Sequence, residues 1–198
     1  PSTINTFLAA LNGFFHFCGW SDCRARFLKI QRRLFRDSRQ ELTRAEYERL
    51  VAAAEAAGDR SLALLMETIC STGIRVSEVQ YITVEAAKNG KAEIALKGKI
   101  RTILLPSKLC RKLLKFAARQ KTASGAIFRA KSGNAMSRYQ IWSKMKKLCE
   151  RAGVGAEKVF PHNLRHLFAT AFYRAYKDIV KLADVLGHSS IETTRIYL

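Results

Sequence analysis

"FPHNLRHLFAT", residues 160–170, is the stretch on which the reading of this chain turns. Pro161 suits the first turn of a helix, where its missing N–H would have no partner anyway. His162, Arg165 and His166 then share one face, at i, i+3 and i+4. A helix start presents unpaired N–H groups, and an arginine fork beside them suits an anion such as phosphate. The same histidine spacing also occurs in helical zinc sites. Here Asn163 stands where such a site has glutamate, Arg165 separates the two histidines, and only four acids occur in residues 151–198, so no metal is expected. Structural histidines are a third option, but three of the chain's four, His162, His166 and His188, fall in its last 37 residues. Packing alone does not explain that clustering.

The 198 residues can hold one full domain plus part of another, and 48% apolar with 26% charged residues is ordinary for a soluble globular protein. Lys and Arg number 35 against 16 acids, a formal charge of +19. Such an excess is the footprint of a partner rich in phosphate, and nucleic acid is the default. A merely solubilising surface mixes both signs and lies nearer neutrality. Five widely spaced cysteines with no C-x-x-C pair argue against a disulfide framework or a zinc knuckle and fit a reducing cytosol. No uncharged run reaches the roughly 18 residues of a membrane span, and no signal peptide opens the chain. The first residue is Pro1 rather than Met, which implies a fragment.

Outward from the opening stretch, helices dominate. Residues 1–36 read as helical, broken near Gly19. From Arg24 to Arg39 there are seven basic residues and one acid. Arg26, Lys29, Arg33 and Arg36 recur at helical spacing opposite Phe27, Ile30 and Leu34, predicting a basic stripe that tracks phosphates. "RDSRQ" (36–40) reads as a linker. A second domain begins at "LTRAEYERL" (42–50), where Thr43 and Glu46 form a capping box ahead of a helix ending near Gly58. "SLALLMETICST" predicts a helix stopped by Gly73, and "RVSEVQ" a short one. "AEIAL" and "RTILLP" predict two strands joined by a tight turn around Gly98 and Lys99. Helices follow at roughly 107–120, 137–151, 161–176, 178–186 and from 190, with Ser189 and Glu192 as a capping pair. The predicted class is mainly α with a small antiparallel β-sheet (α+β).

Further motifs join the first. "STGIRVSEV" puts Arg75 just after a helix-ending glycine, with Glu78 three residues on to orient its guanidinium. "ALKGKIRTILLP" puts Lys97 at the mouth of the hairpin, and "LGHSSIETTRIY" places Tyr197 nine residues after His188. Taken together, T-G-x-R-x-S-E, K-G-K-x-R, H-x-L-R-H-x-x-A-T and L-G-H with its tyrosine resemble the tyrosine recombinase, or phage integrase, family. The resemblance covers residues 37–198 as a catalytic domain, preceded by residues 1–36 as the tail of the family's helical core-binding domain.

That resemblance implies a site-specific recombinase acting on double-stranded DNA. Tyr197 would attack the scissile phosphate to leave a 3'-phosphotyrosyl link, Arg75 and Arg165 would clamp the phosphate, and His188 would hydrogen-bond to it. Lys97 would protonate the departing 5'-oxygen and His162 would take the tyrosine proton. Glu78 and His166 would support these groups from behind. DNA contacts fall to Arg26, Lys29, Arg33, Arg36, Lys99 and Arg101, with Lys99 replacing Lys97 if the hairpin register slips by two. No metal, cofactor or ATP is implied, and no phosphate-binding G-x-x-x-x-G-K-[ST] loop occurs. A homotetramer on DNA and a cytoplasmic, bacterial or mobile-element setting follow from the family. Against the family pattern, the short first domain and the end at Leu198 imply an expectation of half a DNA clamp and of no tail for docking on a neighbouring subunit.

The chemistry is consistent on general grounds. A phenol with an ordinary pKa near 10 lies about 3 units from ionisation at pH 7, roughly 4 kcal/mol to be supplied before it attacks. A preorganised donor at the developing charge is worth roughly 3–4 kcal/mol, and phosphoryl transfer asks mainly for positioning and charge. Three other functions compete with this one. A type IB topoisomerase has a similar site but usually lysine where His162 stands. A DNA-binding regulator explains the charge but not Tyr197. A zinc hydrolase on His162 and His166 would carry stoichiometric metal.

Overall fold

The structure, a computed structural model, describes residues 2–20, 22–29, 40–96, 99–130, 132–188, 190–195 and 197. The chain separates into two compact units, Pro1–Arg36 and Asp37–Leu198.

In the first unit, helix α1 spans Ser2–Phe17 and the chain turns at Gly19, whose φ of 73° suits glycine. Beyond it the structure departs from the sequence expectation, because residues 23–29 form neither helix nor strand. Two asparagines account for this. The Asn12 side chain accepts from the Ala25 N–H (2.8 Å) and donates to the Ala25 carbonyl (3.0 Å). Asn5 does the same to Leu28, at 2.8 and 2.9 Å. Seven helical residues rise about 10.5 Å and three extended residues span about 10 Å, so the spacings match. Arg26 and Lys29 are therefore exposed on a non-helical segment, not on a helical stripe. Arg33 and Arg36 lie outside the described residues.

The second unit begins with α2 (Arg44–Ala56), which carries the expected capping box: Glu46 N–H donates to Thr43 Oγ1 (3.2 Å) and Thr43 N–H to Glu46 Oε2 (2.8 Å). Helix α3 (Arg60–Thr72) is capped by Asp59 and buries Leu62, Leu65, Met66 and Ile69, so it forms the centre of the core. Its polar Thr68 and Thr72 are satisfied by the Leu64 and Thr68 carbonyls. Gly73 ends it in the left-handed region (φ 65°), and a Cβ there would collide with the Phe168 ring. A 3-10 turn, Val76–Tyr81, and a short helix α4 (Val84–Asn89) follow.

Strands β1 (Lys91–Leu96) and β2 (Lys99–Leu104) pair antiparallel, with Lys91 opposite Leu104 and Leu96 opposite Lys99. Lys99 thus opens β2 rather than sitting in the turn. One face, carrying Ala92, Ile94 and Ile103, is buried, and Leu104 on the other is exposed.

After α5 (Ser107–Arg119), the single helix expected at 137–151 is two: α6 (Arg138–Lys146) and α7 (Cys149–Ala152). At the break the Leu148 N–H donates to the Met145 carbonyl, three residues back, which tightens the chain while both Leu148 and Cys149 stay buried. Helix α8 (Pro161–Tyr176) packs along α3, and α9 (Ile179–Leu186) and α10 (Ile191–Arg195) close the chain. The N-terminal bond of α10 comes from Ser190, whose hydroxyl accepts from the Glu192 N–H; Ser189 lies outside the described residues. The unit is mainly α with one small antiparallel sheet. Among the described residues no helix is long and apolar enough to cross a membrane.

Candidate active site

Pro161 occupies the first turn of α8, as its sequence suggests, and the helix delivers Arg165 into the interior at 2% exposure. Such a guanidinium must be satisfied locally. Arg165 Nη1 donates to the Gly73 carbonyl at the end of α3, and Nη2 to the Leu186 carbonyl at the end of α9 (2.6 Å). Two helix C-termini, each with unpaired carbonyls and partial negative charge, therefore hold one cation. Burial first, and the neighbouring Arg75 charge second, pull Arg165 down from the usual guanidinium value to about 10, with Tyr197 opposing. It remains charged at neutral pH.

Arg75 follows Gly73 and is clamped by Glu78, whose carboxylate accepts from the Arg75 backbone N–H (2.8 Å) and from Nη1 (3.0 Å). Nη2 donates to the Gly187 carbonyl (3.2 Å). The Glu78 side chain is 2% exposed and that of Arg75 is 41% exposed, so the carboxylate is a buried anchor and the guanidinium reaches the surface.

His188 lies 3.0 Å from Arg165 Nη2 through Nε2 and 2.9 Å from Thr194 Oγ1 through Nδ1. Arginine has no lone pair to offer, so Nε2 is the acceptor and Nδ1 carries the proton toward Thr194. Burial, then the charges of Arg165, Arg75 and Arg101, push His188 down to about 4, leaving it neutral at pH 7.

Tyr197 is 7% exposed and packs with Ala169, Leu182 and Leu186. Its hydroxyl is 3.3 Å from His162 Nε2. The rings of His162, His166 and His188 surround it, with centroids 5.4, 5.3 and 5.6 Å away. His166 in turn lies 3.8 Å from Glu41 and 3.4 Å from Thr170. The folded chain thus gathers Arg75 and Glu78 from the 3-10 turn after α3, His162, Arg165 and His166 from α8, His188 from just beyond α9 and Tyr197 from just beyond α10. Lys97 lies outside the described residues, and the side chain of Lys99 is not described.

Arg101 is placed differently from expectation. Its side chain is only 13% exposed and bonds Glu78 and the Val185 carbonyl, so it is not a surface cation. The sequence carried a signal for this: in β2, Arg101 alternates with Ile103 onto the buried face. Thr194, a partner of His188, carried no such signal.

A sequence model of the phage integrase family matches residues 40–198. The chain belongs to the phage integrase family. It is 32% identical over 206 residues to tyrosine recombinase XerA of Pyrococcus furiosus, covering 98% of this chain and 68% of that protein. With tyrosine recombinase XerH of Campylobacter jejuni it shares 34% identity over 140 residues, 68% of this chain and 40% of the relative. The chain therefore spans between two fifths and two thirds of these phage integrase relatives. Among solved structures, XerH bound to its difH substrate in a pre-cleavage complex is similar at a TM-score of 0.66 and 26% identity, over 80% of this chain and 49% of that one. The Tn1549 transposon integrase in complex with transposon right end DNA shares the fold at a TM-score of 0.75 and 17% identity, over 99% of this chain and 74% of that one.

Proposed function

We propose that this chain is the DNA-cleaving part of a site-specific tyrosine recombinase acting on double-stranded DNA. The observation that carries the reading is the Tyr197 hydroxyl, 3.3 Å from His162 and enclosed with the Arg165 and His188 cluster in one chain. Tyr197 Oη attacks phosphorus, a P–O bond to tyrosine forms, and the bond to the 5'-oxygen breaks. The phenol proton passes to His162 Nε2, and Lys97 gives a proton to the leaving 5'-oxygen. Arg75 and Arg165 hold the non-bridging oxygens, where charge accumulates. Attack by the 5'-hydroxyl of another strand reverses each step and rejoins the DNA. The phosphodiester energy is kept in the tyrosyl ester, so the cycle needs neither ATP nor a metal.

His188 has to change state on the way. Its Nε2 accepts from Arg165; an arriving phosphodiester offers Arg165 another acceptor and brings a negative charge that raises the histidine's proton affinity. Nε2 can then donate to the phosphate. Exposed Arg26 and Lys29, with Arg33, Arg36 and Lys99, are read as phosphate contacts, and four copies on DNA as the working assembly, in the cytoplasm where DNA is reached.

The test is a supercoiled plasmid carrying paired candidate junction sites, incubated with the chain in EDTA. Recombinant circles support the reading. Relaxation without recombinants supports the type IB alternative, and binding without either product rejects strand cleavage.

A further inference from the structure

Three consecutive carbonyls at the end of α9, those of Val185, Leu186 and Gly187, each accept from a different arginine: Arg101, Arg165 and Arg75. Two of these are the proposed phosphate clamp. Arg101 is the third, and nothing so far gives it a role. Its Nη2 donates to the Val185 carbonyl at 2.8 Å, and its Nη1 lies 3.2 Å from both oxygens of Glu78. Glu78 is the same carboxylate that clamps Arg75. One guanidinium from β2 therefore ties together the hairpin, the Arg75 anchor and the helix end that runs into His188.

Two further observations show that this placement is built in. Gly187 (φ 63°) leaves room for the arginine, since a Cβ there would collide with Arg101 Cδ. Arg101 Nε is buried with no hydrogen-bond partner among the described residues, a loss that packing by itself does not require. Burial also disfavours a cation here; Glu78 counters it and the neighbouring Arg75 charge adds to the cost. A site chosen for stability alone would take a neutral side chain.

We infer that Arg101 is a positioning residue for the proposed cleavage reaction, holding the β1–β2 hairpin, the Arg75–Glu78 pair and the α9 end before His188 in one fixed arrangement. The inference rests on the recombinase reading above. It uses the fork of the guanidinium, because a single ammonium cannot reach Glu78 and the Val185 carbonyl in the same way.

The test compares Arg101→Lys and Arg101→Met with the parent chain, on nicked duplexes of candidate junction sequence. DNA affinity, its salt slope and the saturating rate of covalent adduct formation are measured, with thermal melts to show that each variant is folded. Positioning predicts unchanged affinity and salt slope in Arg101→Lys but a saturating rate lower by about 10- to 100-fold, the scale of a small misplacement of reacting groups. Parent-like rates in Arg101→Lys overturn the inference. So does weaker binding with a shallower salt slope and a normal saturating rate, which marks a DNA contact. If the parent itself yields no adduct, the recombinase reading fails separately. In that event the imidazole NMR signals of His188 in the DNA-free chain decide: positioning predicts that Arg101→Lys shifts them at unchanged charge, and unshifted signals refute it.

Discussion

Arg165 sits between two helix ends with donors committed to the Gly73 and Leu186 carbonyls, so its orientation is set before any substrate arrives. Lysine at this position has one donor centre for two carbonyls and a phosphate. Arg165→Lys is expected to lower adduct formation by about 10²–10³-fold, the usual effect of losing one preorganised donor, while far-UV circular dichroism stays native. His188 gives a pH prediction with a definite sign. Its folded pKa of about 4 lies below the ordinary value near 6.5, so between those values the unfolded chain binds the extra proton. This contribution is fully present above pH 6.5 and is lost as pH falls toward 4. Glu46 acts lower: burial alone would raise it, but Lys158 and the Thr43 N–H and hydroxyl outweigh that and hold it at about 2. Its contribution is lost as pH falls from 4.5 toward 2. Urea midpoints should therefore fall in two stages on acidification, and His188→Asn should flatten the upper stage alone.

Among the elements, those whose signals are local were legible in the sequence and those depending on a distant partner were not. Thr43 and Glu46 announce α2 because both halves of the capping box lie within four residues, and Thr43→Ala should lower stability by about 1 kcal/mol in denaturant titration. Pro161 announces α8, and the shared face of His162, Arg165 and His166 is a consequence of helical geometry alone. The motif spacings likewise point to the residues that gather around Tyr197. Helix α4 is six residues long, too short for periodicity to register. The segment from Arg24 to Lys29 has helical charge spacing, yet it is not helical, since its backbone at Ala25 and Leu28 is claimed by Asn12 and Asn5 on another element. Asn12→Ala should raise amide exchange at Ala25 by about tenfold, near the worth of one net hydrogen bond. Unchanged exchange there would show that something else holds the segment. The placement of Arg101 escapes a local reading for a related reason: its charge suggests a DNA contact, while the alternation of β2 turns its side chain toward the buried face.

For the molecule as a whole, the charge of +19 and the buried tyrosine site make separable claims. The charge predicts DNA binding whose logarithm falls linearly with the logarithm of salt, by about 0.9 for each phosphate neutralised, whatever the DNA sequence. Arg26→Ala with Lys29→Ala should reduce that slope by about two if both touch phosphate, which a fluorescence titration across salt concentrations would read. A DNA-binding regulator would behave the same way, so binding cannot decide the function. Chemistry at Tyr197 can. The chain is incubated with a pool of nicked duplexes from candidate element junctions in EDTA, and run on denaturing gels beside Tyr197→Phe. A DNA adduct in the parent that is absent from the variant is the predicted result. Tight binding with no adduct, or an adduct that survives in Tyr197→Phe, would contradict the account.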